Sequence, residues 1–78
     1  MNALKNAMKT VEQMNGEIIA FAPEHGDTGI YTVFAVFEQK REYTVYNYNA
    51  EFNGLFAGYY TMMYDLARDE FVRRMMTK

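Results

Sequence analysis

Residues 30–38, IYTVFAVFE, constrain the fold more than any other stretch of the chain. The run is rich in β-branched and aromatic side chains, which suit a pleated strand and lower helix propensity. Alternate positions point to opposite faces of a strand. Here both sets are apolar, so the run reads as a central strand of a sheet.

The neighbouring segments supply partners. Residues 17–22, EIIAFA, form a short β-branched and aromatic run closed by Pro23. Residues 23–29, PEHGDTG, are dense in turn formers and read as a loop. Residues 42–49, EYTVYNYN, follow a turn at 39–41 and give the next strand. Asn53-Gly54 is a strong hairpin signal, because both residues tolerate positive φ. It folds residues 55–60 back as a fourth strand, or leaves them as a loop, since Gly58 weakens the pattern.

A helix is expected at each end. Leu4, Met8, Val11 and Met14, with Ala3 and Ala7, recur at helical spacing over 3–15. Asn15-Gly16 is the stop signal. Thr61 is the expected N-cap of a helix over 62–76. Met63, Leu66, Ala67, Phe71 and Met75 line its apolar side, and Asp69–Arg73 and Glu70–Arg74 are spaced as ion pairs on the other. The fold class is therefore α+β in one domain, residues 1–78: helix, three- to four-stranded antiparallel sheet, helix. Packing both single-striped helices on one face of the sheet is the economical arrangement. That leaves the other face open.

The exposed face follows from strand alternation. Tyr43 and Val45 point one way; Thr44, Tyr46 and Tyr48 point the other. Val45 is the most aliphatic of these and is expected under the helices, so Thr44, Tyr46 and Tyr48 face outward. The register across 39–41 is open. A three-residue turn sets Phe37 beside Tyr43, and a two- or four-residue turn sets it beside Glu42. Depending on that choice, Thr32 and Phe34 or Tyr31 and Val33 join the outward set. With seven Tyr and six Phe in 78 residues, such a face marks an interaction surface. Phe34, Glu42, Thr44, Tyr46, Tyr48 and Glu51 are the expected protein-binding residues.

Several chemistries lack their parts. There is no Ser, no Cys and one His, so nucleophilic triads cannot be built and thiolate metal sites are excluded. GDTG at 26–29 is too short for a phosphate-cradling loop, and His25 reads as a solvated loop residue. No catalytic residue, cofactor or metal is expected, and the chain reads as a non-enzyme. The start, MNALKNAMKT, has no continuous apolar region, and no stretch reaches membrane-spanning length. This fits a cytoplasmic protein without membrane contact.

Charge disfavours nucleic acid. Residues 12–51 carry seven acids against Lys40 and Arg41, a net −5, within a chain total of −2. A nucleic-acid surface needs a positive groove, and Lys40-Arg41 and Arg73-Arg74 are only small basic spots. An acidic aromatic surface instead suits a protein with a basic surface. A chain this short buries only about 60% of its unfolded surface, so self-association is a natural staple.

Residues 53–74, NGLFAGYYTMMYDLARDEFVRR, resemble a pattern seen in small phage-encoded proteins, through Gly58, Tyr59, Tyr60, Ala67, Phe71 and Arg74. Many proteins of that class are anti-defence factors, anti-CRISPR proteins among them, which commonly bind and block a host protein, often as dimers. The resemblance implies a phage or mobile-element inhibitor that blocks a host nucleic-acid-handling complex in the bacterial cytoplasm. The alternatives are a homodimer joined through the aromatic sheet face, or a minor nucleic-acid-binding module.

Overall fold

A computed structural model describes residues 3–23 and 29–76. The elements run α1 (Ala3–Gln13), β1 (Glu17–Pro23), β2 (Ile30–Phe37), a 3-10 turn (Glu38–Lys40), β3 (Glu42–Asn49), β4 (Gly54–Thr61) and α2 (Tyr64–Met76). The four strands form one antiparallel sheet in the order β1-β2-β3-β4. The α+β class and the helix–sheet–helix order are as the sequence implies, and residues 55–60 do lie in a strand. His25 and most of the 23–29 loop lie outside the described residues. No helix among the described residues is long and apolar enough to cross a membrane.

The turns fix the registers. Phe37 pairs with Glu42, which resolves the ambiguity in favour of the four-residue connection. Glu38–Lys40 make one 3-10 turn, and Arg41 closes it in the left-handed region, its N–H donating to the Glu38 carbonyl at 3.0 Å. At the other end of β3, Asn49 Oδ1 accepts the N–H groups of Glu51 and Phe52 at 2.9 and 3.2 Å. Asn53 then turns the chain back with φ 51°, where Asn is tolerated.

The helices cover opposite faces of the sheet, not one. Ala7 and Val11 of α1 pack with Val33, Ala35 and Phe37 of β2 and with Tyr46 and Tyr48 of β3. Ala67 and Phe71 of α2 pack with Phe34 and Val45. Those two sets alternate along the strands, so they lie on opposite sides. The expectation of two helices on one face is corrected by these contacts. The physical reason is β2 itself: both of its faces are apolar, residues 32–35 are all buried, and each face needs a cover. One helical stripe suffices for each side, giving three layers around two small cores.

The stripes are narrower than their spacing implies. In α1 only Ala7 and Val11 are buried, whereas Leu4 and Met8, and Met14 just beyond the helix, are exposed. In α2 only Ala67 and Phe71 are buried, whereas Met63, Leu66 and Met75 are exposed. Each helix thus buries one Ala and one larger side chain, Ala7 with Val11 and Ala67 with Phe71.

Candidate protein-binding surface

The tyrosine face is covered by α1. Thr44, Tyr46 and Tyr48 share one side of β3 as expected, but they are 0%, 7% and 0% exposed. Phe34 is 2% exposed and on the opposite side, ringed by Tyr43, Tyr64 and Phe71. These four residues therefore do not form an open surface, and their expected solvent-facing position is corrected. Glu42 is half-buried at the start of β3, and Glu51 is exposed on the β3–β4 turn. The structure brings Glu42, Thr44, Tyr46 and Tyr48 onto one face and sets Phe34 and Glu51 apart from them.

Burial has electrostatic consequences there. The Tyr46 phenol is pushed up to about 12, first by burial, then by its hydrogen bond to Tyr60 and by the charges of Tyr60 and Glu42. Its ring meets that of Tyr60 edge-on, with centroids 6.0 Å apart. Burial also raises Tyr48, whose hydroxyl bonds Asn53 Oδ1 on the β3–β4 turn. Both phenols stay neutral at physiological pH; Tyr46 ties β3 to β4 through Tyr60, and Tyr48 ties β3 to the turn through Asn53.

A second polar tie holds α2. Arg73 and Arg74 both bond Glu70, at 2.6 Å each, and Arg74 also donates to Asn47 Oδ1 of β3 at 3.2 Å. The Glu70 carboxyl is held below the usual range, chiefly by Arg73 and further by Arg74, against the opposing effect of burial. Two of the four basic residues considered for phosphate contact are thus engaged with Glu70. Among the described residues, no cluster of His, Cys, Asp and Glu could hold a metal.

Exposed apolar side chains occur on both helices, on β4 and on the β3–β4 turn; Met62 and Met63 stand just before α2, and Met62 lines a hollow at the 3-10 turn. Two adjoining hollows share Val36 and Glu38. One, of about 360 Å³, is lined by Asn15, Gly16, Glu17, Val36, Glu38 and Gln39. The other, of about 270 Å³, is lined by Val36, Glu38, Arg41, Tyr43 and Met62. Local sequence builds this end. The Asn15-Gly16 turn brings α1 into β1 beside Glu17. The 3-10 turn presents Glu38, and the left-handed Arg41 returns the chain into β3. Across from it, Thr61 Oγ1 accepts the Met63 N–H at 3.1 Å. This cap holds the start of α2 at Tyr64 rather than residue 62, and leaves Met62 and Met63 outside the helix, 71% and 59% exposed.

These residues escaped the sequence reading. Thr61-Met62-Met63 carried the signal: a capping residue followed by two methionines that cannot both reach a core. Assigning Met63 to the buried stripe hid it. The lining of the larger hollow includes Val36 and the two acidic residues Glu17 and Glu38 and no basic residue, while Arg41 lines the adjoining one. That arrangement suits a long cationic side chain, whose stem is apolar and whose head is charged. No family model, curated protein or solved structure matches this chain, so the reading of the surface rests on its own geometry.

Proposed function

We propose that the chain is a non-catalytic protein-binding inhibitor that engages a basic host protein through the end of the sheet around Val36 and Glu38. The observation that carries this reading is the larger hollow, with Glu17 and Glu38 set around Val36. An Arg or Lys of the partner lays its stem along Val36 and places its head between the carboxylates. Met62, exposed and unbranched, lines the adjoining hollow, and its adaptable side chain suits recognition of irregular protein surfaces. The chain's net charge of −2 adds weak steering toward a basic partner. Host proteins that handle nucleic acid carry such surfaces, which agrees with the resemblance of residues 53–74 to small phage inhibitors.

The experiment is affinity capture from bacterial lysate with the wild-type chain and with the double variant Glu38→Lys, Met62→Asp. The captured species is then tested for DNA- or RNA-binding activity with and without the chain. The expected result is a basic protein retained by the wild type, lost with the variant, and inhibited only by the wild type. Equal retention by both chains refutes the surface. Retention without inhibition refutes the inhibitory role.

A further inference from the structure

The two edges of the sheet are built differently. The β1 edge carries Glu17 and Pro23 and a bulge between Ile18 and Ala20. Charge, a missing N–H donor and a bulge are the usual means of keeping a strand edge from pairing. The β4 edge, Gly54–Thr61, reads GLFAGYYT and carries no charged residue and no proline. Among the described residues only β3 pairs with it. Phe56 and Tyr60 stand 45% and 57% exposed on it.

The bulge in β4 does not simply spoil the edge. Its extra residue lies between the pairs Val45–Tyr59 and Asn47–Phe56, with Ala57 in the left-handed region at φ 56°. The extra residue reverses the alternation of side chains. Leu55 pairs with Tyr48 and Tyr60 with Thr44, so both lie on the α1 side of the sheet. Phe56 pairs with Asn47 and Tyr59 with Val45, so both lie on the α2 side.

We infer that β4 pairs antiparallel with β4 of a second copy, about a two-fold axis normal to the sheet between Ala57 and Gly58. In that register Leu55 faces Tyr60 of the second copy, Phe56 faces Tyr59, and Gly54 faces Thr61. Each pair lies on a common face, as cross-strand neighbours must. In an unbulged strand, residues so related have opposite parity and point to opposite sides, so this axis is forbidden. The bulge thus selects this axis between two residues, where an unbulged strand is self-complementary only about an axis through a residue. A second copy is the occupant because the same patch satisfies both sides of an isologous contact, and the product is a continuous eight-stranded sheet with α1 and α2 layers on each half. This surface is separate from the hollow around Val36 and does not depend on the function assigned to it.

The test is light scattering of the full chain from about 1 to 100 µM, the concentration range in which small-domain association is read, together with amide hydrogen exchange. Two substitutions at Ala57 separate charge from fold, since Asn and Asp both tolerate the left-handed region. Ala57→Asp sets two carboxylates beside the axis; Ala57→Asn does not. The expected result is a dimer for the wild type and Ala57→Asn, at least a tenfold weaker dimer for Ala57→Asp, and β4 amides whose protection rises with concentration. A wild type that remains monomeric at the highest concentration overturns the inference. So does a dimer that Ala57→Asp leaves intact, or one whose concentration-dependent protection falls on β1. A monomer that instead gains β4 protection from an added extended peptide also overturns it, by assigning the edge to a foreign strand.

Discussion

Gly16 is the point at which the account of α1 can be tested most sharply. It follows Asn15, which takes the left-handed position at φ 67°, and its N–H donates to the Val11 carbonyl at 3.0 Å to close the helix. Its own φ is not in the left-handed region, so the requirement for Gly is one of space. A Cβ added there runs into Phe37 Cε1 and meets Cδ1 and Cζ at 2.8 Å. Carbon atoms in contact prefer about 3.5–4.0 Å. The Phe37 ring cannot retreat easily, being 4% exposed and packed with Ala7, Val11, Val33 and Ala35. Overpacking of this kind costs about 1–3 kcal/mol. Taking about 2 kcal/mol, at roughly 4–8 °C per kcal/mol for a chain of this size, Gly16→Ala lowers Tm by roughly 8–16 °C. The assay is urea and thermal denaturation followed by circular dichroism, run as a cycle with Phe37→Leu. Leu lacks the ring edge, so the double variant should be less destabilised than the sum of the single variants by about 1 kcal/mol or more. An unchanged urea midpoint for Gly16→Ala, or effects additive within about 0.5 kcal/mol, refutes the contact.

Three further outcomes follow from the two cores and the polar ties. Thr44 Oγ1 is buried with no hydrogen-bond partner among the described residues. Thr44→Val should therefore stabilise the fold by about 1 kcal/mol, and a loss of that size in urea denaturation would mean that the hydroxyl is bonded. Glu70 has a depressed folded pKa. Its contribution to stability is present above the unfolded value near 4.5 and is lost as pH falls through the folded value. Glu70→Gln should cost about 1–2 kcal/mol at pH 7 by weakening the bonds to Arg74, and the difference between variant and wild type should shrink in acid; a constant difference contradicts this. Tyr46 titrates oppositely, with a folded value of about 12 against 10.0 unfolded. Stability should be intact below pH 10 and fall between pH 10 and 12, and Tyr46→Phe should flatten that fall in urea denaturation.

The order of elements was legible because periodicity carries it. The two helices showed helical spacing, and the ends of β2 and β3 fell within a residue of their expected positions, whereas residues 55–60 were open between strand and loop. The placement of the helices was not legible. A terminal helix with one apolar stripe can swing to either side of a sheet, and nothing in α1 or α2 marks the side. The clue lay in β2, whose two apolar faces already required two covers. Assigning both helices to one face left the tyrosine side bare, and the expected binding residues inherited that error. The parity of Thr44, Tyr46 and Tyr48 was right, but their solvent exposure was not. Phe34 changed sides because register depended on Arg41 taking a left-handed conformation, which its residue type does not announce. Met62 and Met63 were misread because Thr61 begins the cap two residues earlier than a simple N-cap would.

The central claim is that binding belongs to the end of the sheet around Val36 and Glu38, not to the tyrosines. Methyl NMR of the methionines and valines, titrated with a blocked Arg- and Lys-rich hexapeptide at low and moderate salt, tests it directly. The expected result is saturable, salt-sensitive shifts at Val36 and Met62, absent in Glu38→Lys, with Val33 and Val45 in the two cores unmoved. Shifts centred on Val33 and the Tyr46–Tyr60 side, or no shift at Val36 and Met62 at millimolar peptide, contradict it.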